Sequence, residues 1–200
     1  IFKDTAPIRF EGNNYSEEWV KEAAKRGLPN LRRTPEALEQ LVSRPARTLL
    51  NKLNILSKAE LESRYHVRLE RYVKDILIEM HTLKEMIDTL VIPAAFSYSG
   101  SLAASAAAAV SAGIKNVPQV DAANEIGALI SSLREKRDAL VAAIEKAEGL
   151  HDDLPKQAKF LTSSGSEAML AAREVSDQIE LTVSDELWPL PKYREILFPV

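Results

Sequence analysis

The chain has 200 residues, and its 26 basic and 29 acidic side chains leave a net charge of −3. Such a balance offers no electrostatic attraction to nucleic acid or to an anionic membrane, so neither is an expected partner. Cysteine is absent, which excludes disulfides, thiolate metal sites and cysteine nucleophiles. This composition is compatible with a reducing cytosol, and a cytoplasmic location is expected.

Helices are the expected secondary structure throughout. There are only seven glycines, the charged stretches are long, and apolar and polar residues almost never alternate. The fold is therefore predicted to be mainly α, with little or no strand. No uninterrupted apolar run reaches the eighteen or so residues that a membrane span needs, so none is expected. The chain opens with Ile1 rather than Met, and we expect it to be a piece of a longer protein.

The first predicted helix follows a short irregular segment. Residues 8–10 are a candidate extended stretch, and residues 11–14 read as a turn. Ser16 is a good N-cap for a helix that runs to about Arg26. Gly27 then supplies the left-handed conformation that commonly ends a helix.

Two more short helices are expected before residue 57. Thr34 and Pro35 combine a capping hydroxyl with a proline at the first helical position. That second helix is predicted to end before Pro45, and a third covers about residues 46–54. Residues 1–56 thus form a segment of short helices.

The strongest helix start is the capping box Ser57-Lys58-Ala59-Glu60. Beyond it, apolar residues recur at steps of three or four, the period of one long amphipathic helix. They are Leu61, Tyr65, Leu69, Tyr72, Ile76, Met80, Leu83, Ile87 and Leu90. Leu77 and Ile78 widen this apolar face near its middle, so more than one neighbour is expected to pack there.

Pro93 falls late in this long helix. We predict that the helix kinks there and continues to about Ala112, because residues 103–109 are strong helix formers and no turn residue follows the proline. Gly113 is expected to end the helix, and Pro118 to lie in the loop.

A second long helix is predicted from about Asp121 to Lys146. Its seam, which is interrupted by Arg137, consists of Ile126, Ile130, Leu133, Leu140, Ile144 and Ala147. A last helical region covers about residues 153–187, and the sequence leaves open whether it breaks near residues 163–166. Short connections favour antiparallel packing, so residues 57–200 are predicted to form a bundle of long antiparallel helices.

The chain ends in an aromatic segment that cannot be regular helix at its centre. Pro189 and Pro191 interrupt it, and Trp188, Tyr193 and Phe198 give it a large apolar area. Burying each ring stabilises a protein by a few kcal/mol, roughly. We therefore expect this tail to dock, with these five residues as the candidate interface, either on the chain's own helices or on another part of a larger protein.

No self-sufficient active site emerges from the sequence. Pairs spaced by four residues, as two ligands on one helix face would be, occur at Glu62–His66, His66–Glu70 and His81–Glu85. A charged helix produces such pairs freely, and Glu-x-x-His does not occur on two helices, as a di-iron bundle requires. No glycine loop for phosphate is present, and residues 163–166 resemble a flexible connector more than a nucleophile elbow.

Several motifs together resemble the region that follows the catalytic core of type III glutamine synthetases. They are FEGNNYSEEW (10–19), AAKRGLPNL (23–31), LSKAELESRY (56–65), ERYVK (70–74), VIPAA (91–95) and LWPLPKY (187–193). Each motif alone is weak, but their combination, in order along the whole chain, is specific.

The resemblance implies a parent enzyme that joins ammonia to glutamate with ATP and Mg²⁺ or Mn²⁺, through a γ-glutamyl phosphate. It also implies assembly into a double hexameric ring. The substrates and catalytic groups would belong to an upstream catalytic domain, and residues 1–56 would be the continuation of that domain. None of the family's catalytic signatures has a matching position here. We therefore assign no catalytic, cofactor-binding or metal-ligating residue to this chain.

Two alternatives remain open. One is a non-enzymatic helical interaction or scaffold module, and a weaker one is a metal-binding bundle.

Overall fold

The structure, a computed structural model, describes residues 2–191 and 193–197. All regular elements among these residues are helical, which confirms the mainly α prediction. A 3-10 turn (Ala6–Ile8) precedes α1 (Glu17–Lys25), α2 (Thr34–Leu41), α3 (Arg44–Lys52), α4 (Lys58–Met86), α5 (Ile92–Ser111), α6 (Pro118–Glu148), α7 (Leu154–Phe160), α8 (Ser166–Thr182) and α9 (Tyr193–Leu197). Two π-helical turns, Ile87–Val91 and Leu161–Gly165, join α4 to α5 and α7 to α8.

The chain divides into an amino-terminal unit, Ile1–Arg68, and a carboxyl-terminal unit, Leu69–Val200. The functional division between residues 56 and 57 that the sequence suggests stays a prediction.

Local capping explains the helix starts of the amino-terminal unit. The Ser16 hydroxyl accepts a hydrogen bond from the Trp19 N–H at 3.3 Å, as predicted. The Ser57 N–H donates to the Glu60 carboxylate at 2.8 Å, and the Glu60 N–H donates to the Ser57 hydroxyl at 3.3 Å, which confirms the capping box. Gly27 ends α1 with a φ of +72°.

Three local expectations in this unit need correction. Ile8 lies in a 3-10 turn rather than in an extended stretch. α3 begins two residues earlier than expected, because the Ser43 hydroxyl accepts from the Ala46 N–H at 3.4 Å. Thr34 is the first residue of α2, and the N-cap residue Arg33 makes no side-chain capping bond.

The helix continues past Pro93, as predicted, and the helical stretch spans Lys58–Ser111. Proline lacks an N–H, and its ring presses on the carbonyl group four residues earlier in a regular α-helix. The π-helical turn Ile87–Val91 lies at that point. The wider turn therefore gives room to the proline ring.

In the carboxyl-terminal unit, α5 packs on α6 and α6 packs on α8. The seam predicted on α6 is buried at Ile126, Ile130, Leu133, Leu140, Ile144 and Ala147. Pro118, which we expected in a loop, instead lies in the first turn of α6, where its missing N–H costs nothing. The core thus lies along α6, between its neighbours.

The helical region does not break near residues 163–166, a point that the sequence left open, and the interpretation of these residues as a flexible connector is wrong. The chain stays helical there, in the π-helical turn Leu161–Gly165. The Ser166 hydroxyl bonds to the Leu161 carbonyl at 3.0 Å, so serine side chains support the turn instead of ending it. Gly165 is buried, and a Cβ built on it would lie 3.4 Å from Leu161 and 3.6 Å from Met80, which are ordinary van der Waals distances.

Candidate docking surfaces

The tail begins with a turn that directs Trp188 into the protein. α8 ends at Thr182, five residues before the predicted limit, and Val183 is extended and buried. The Ser184 carbonyl then accepts hydrogen bonds from the N–H groups of Leu187 and Trp188, at 3.0 and 3.2 Å. Trp188 is only 8% exposed. Its ring is therefore covered within this chain.

The other predicted tail residues are placed differently. Pro189 and Pro191 are exposed. Tyr193 begins α9, but its side chain and the whole of Phe198 lie outside the described residues. The assignment of the five tail residues to an interface stays a prediction.

Trp188 also carries an unsatisfied polar group. Its indole Nε1 is buried and has no hydrogen-bond partner in the described part of the chain. A buried N–H without an acceptor is unfavourable, by about 1–3 kcal/mol. The apolar area of the ring, rather than a hydrogen bond, therefore holds it in place.

The first resemblance motif builds an aromatic and cationic cluster in the amino-terminal unit. The rings of Phe10 and Trp19 stack with their centroids 4.6 Å apart. The Arg26 guanidinium lies 5.5 Å from the Trp19 ring centroid, donates to the Arg9 carbonyl at 2.6 Å, and pairs with Glu22 at 2.7 Å. This cluster ties the irregular segment before α1 to the end of α1.

The amino-terminal unit nevertheless has almost no core. Among its described residues, only Pro35 and Leu61 are buried. Its exposed large apolar side chains are Phe2, Ile8, Tyr15, Leu31, Leu49, Leu53, Ile55 and Val67. A unit of about 60 residues normally buries some 60% of its unfolded surface to be stable. These helices therefore expose apolar side chains that contact with a partner surface would bury.

Two ionisable side chains of this unit, Glu60 and Tyr65, have pKa values that depart from the ordinary ones. Hydrogen bonds from the Ser57 side chain and backbone hold the pKa of the Glu60 carboxyl below its ordinary value. Burial, helped by the negative charge of Glu39, raises the pKa of Tyr65. Helix capping thus causes the first shift and burial the second.

An apolar groove runs between α4 and α8 in the carboxyl-terminal unit. We call it the α4–α8 groove; Ile78, Glu79 and Met86 on α4, with Met169, Leu170 and Arg173 on α8, are among its lining residues. Its volume is about 510 Å³. Ile78 is 64% exposed and Leu170 56% exposed at this groove. The wide apolar face at Leu77 and Ile78 predicts an additional neighbour for α4. The sequence did not predict that α8 forms the other wall of the groove.

Polar pairs join different helices of the same unit. Arg137, which interrupts the α6 seam, is partly buried and lies 3.0 Å from the Asp88 carboxylate of the first π-helical turn. Lys84 reaches the same carboxylate at 2.7 Å. The hydroxyls of Tyr72 and Thr162 are hydrogen-bonded at 2.7 Å. These contacts fix the π-helical turns against α4 and α6.

The histidines do not converge. His81 is half exposed and pairs with Glu148 at 3.0 Å, while His151 pairs with Asp152 at 3.3 Å. His66 is exposed. No group of three or more His, Asp or Glu side chains suited to a metal ion occurs in the described ranges. The described donors are therefore not arranged to hold a metal ion.

One helical stretch meets a length and composition test for a membrane span. It lies within Lys58–Ser111, where an 18-residue window has a mean hydropathy of 1.3 and is 28% buried. We expected no span because no uninterrupted apolar run in the sequence is long enough. The criterion met here is less strict, since it accepts up to two charged residues in the window. A single helix of this kind is weak support, since ordinary core helices pass the same test.

The chain is similar to known proteins along most of its length. A family model described as glutamine synthetase C-terminal domain matches residues 1–110. The type-3 glutamine synthetase of Dictyostelium discoideum is 36% identical over 99% of this chain and 28% of its own length. Glutamine synthetases of Bacteroides fragilis (strain YCH46) and Butyrivibrio fibrisolvens are 33% and 34% identical, each over 96% of this chain and 27% of their own lengths. The chain thus spans little more than a quarter of these relatives.

Proposed function

Because the chain belongs to the glutamine synthetase C-terminal domain family, we propose that it is the structural, assembly-forming end of a glutamine synthetase. The parent enzyme would join ammonia to glutamate with ATP and Mg²⁺ or Mn²⁺, through a γ-glutamyl phosphate. Nearly the whole chain is similar to little more than a quarter of the length of named glutamine synthetases, and the matching family model is described as their C-terminal domain; both findings support this proposal. A cytoplasmic location and a double hexameric ring are parts of the same proposal.

Among the described residues, the His, Asp and Glu side chains are not arranged to hold the metal ion that accompanies ATP. The His, Asp and Glu side chains described above are dispersed on exposed helix faces or paired with each other. We therefore propose that the nucleotide, the metal, the substrates and the catalytic groups belong to an upstream catalytic domain.

The observation that carries the structural role is the nearly coreless amino-terminal unit. Its exposed apolar side chains would be covered by the catalytic domain, and the resulting apolar burial would stabilise the contact. Leu49 and Leu53, each 56% exposed and one turn apart, form one such apolar ridge at the end of α3. They are the residues to perturb.

The test is ATP-dependent glutamine formation by the full-length protein, with and without Leu49→Asp/Leu53→Asp. We expect activity in the wild type and a loss of at least roughly tenfold in the double variant, since each buried carboxylate opposes docking by several kcal/mol. Asn51→Asp is the matched control, because Asn51 is exposed on the same helix. It should retain activity.

Two results would contradict the proposal. A full-length protein that forms no glutamine would favour the non-enzymatic scaffold. Full activity in the double variant would show that the ridge does not dock on the catalytic domain.

A further inference from the structure

We propose that the α4–α8 groove is an interface with a second copy of this protein, related by a two-fold axis that sets Glu79 of each copy against Arg173 of the other. This inference deepens the proposed assembly role and rests on it, but its test reads a different quantity.

The groove has the apolar character of a protein interface. Its rim residues Ile78 and Leu170 are more than half exposed, on opposite walls. Met86 and Met169 also line it, and methionine side chains adapt easily to the shape of a partner surface. A ridge centred on Ile78 would fill such a groove as one helix fills the space between two others.

The width of the apolar face on α4 supports an additional neighbour. Within the chain, Met80 is fully buried and Val73 nearly so, and these residues account for the side of α4 that meets the core. Ile78 lies on another side of the helix and stays exposed. The sequence therefore provides more apolar surface on α4 than the described residues cover.

The charges of the groove identify the occupant. Glu79 lies on the α4 wall and Arg173 on the α8 wall, so the two walls have opposite signs. In a two-fold interface the same patch meets itself, and each residue contacts the symmetric counterpart of its partner. A patch with one acidic and one basic wall is complementary to itself, whereas a uniformly charged partner would be repelled by one wall.

The pairing that Arg173 already makes does not oppose this arrangement. Its guanidinium lies 3.5 Å from Asp177, one turn further along α8, and both side chains are more than half exposed. Exposed pairs of this kind contribute little, about 0–1 kcal/mol. Arg173 can therefore turn towards Glu79 of a second copy at small cost.

The test uses charge reversal in the full-length protein and sedimentation analysis of its mass. Glu79→Arg and Arg173→Glu each place like charges at both symmetric contacts, so each variant should sediment at half the wild-type mass. An equimolar mixture of the two variants should return to the wild-type mass, because opposite charges then meet at both contacts. The double variant Glu79→Arg/Arg173→Glu should also keep the wild-type mass.

The matched control is Glu174→Arg, which reverses an exposed charge next to Arg173 but outside the groove, and it should keep the wild-type mass. The proposal is overturned if both single variants keep the wild-type mass, or if their mixture stays at half mass. The double variant keeps the test decisive if a single variant fails to fold, since its loss of mass also overturns the proposal. Glutamine formation is measured in parallel: activity with unchanged masses defeats only the interface, and correct mass changes without activity defeat only the enzyme assignment.

Discussion

Replacement of Trp188 tests whether apolar burial alone fixes the start of the tail. Trp188→Ala removes a ring that is 8% exposed, and truncating a buried tryptophan costs about 3–5 kcal/mol. Trp188→Phe loses about 1–2 kcal/mol of apolar burial. It also removes the buried, unpaired indole N–H, whose burial costs about 1–3 kcal/mol. The Phe variant should therefore lie between about 1 kcal/mol less stable and about 2 kcal/mol more stable than the wild type.

The assay is urea unfolding of both variants, followed by circular dichroism. For a chain of this size, the Ala variant should also melt roughly 6–20 °C lower, at about 2–4 °C per kcal/mol. Leu187→Ala is the control, because Leu187 is adjacent and 36% exposed, and it should change the free energy of unfolding by less than about 1 kcal/mol. The reasoning fails if the Phe variant loses as much stability as the Ala variant, since the indole N–H would then be bonded.

Two further predictions concern backbone and pH. Gly127→Ala in α6 should raise the free energy of unfolding in urea by about 0.5–1 kcal/mol, because an added Cβ meets nothing within 4 Å. Gly113→Ala should lower it, because Gly113 has a φ of +80°. The same change in stability for both variants would refute this reasoning. The lowered pKa of Glu60 means that its stabilising contribution is present above about pH 4.5 and is lost as the pH falls through the folded-state pKa. In Ser57→Ala, an NMR titration should show that pKa rising towards 4.5, and an unchanged titration would contradict the assigned cause.

Local signals in the sequence predicted the parts of the fold that depend on neighbouring residues. The capping box at Ser57 and Glu60 needs only four residues and appears as expected. The α6 seam follows from its period alone, and the buried side chains are the predicted ones. Continuation through Pro93 also followed from the strong helix formers at residues 103–109 and from the lack of a turn residue after the proline.

Features that depend on distant residues were not predictable. Residues 163–166 have the composition of a loop, but they lie in the π-helical turn and the start of α8, and Gly165 is buried beside Met80. Arg137 interrupts the apolar seam of α6 in the sequence. In the structure it pairs with Asp88 of the π-helical turn Ile87–Val91, which is distant in sequence. The α8 wall of the α4–α8 groove lies far from α4 in sequence, so no local pattern could have joined Met169 and Leu170 to Ile78.

The two π-helical turns shift the phase of the helices that follow them. Each wide turn accommodates one residue beyond the α-helical count, and one residue corresponds to a rotation of about 100° around the helix axis. Removal of one residue from Leu161–Gly165 would thus turn Ala172, Val175 and Ile179 away from the core that they now fill. The fold therefore constrains how many residues the two π-helical turns contain, as well as which residues they are.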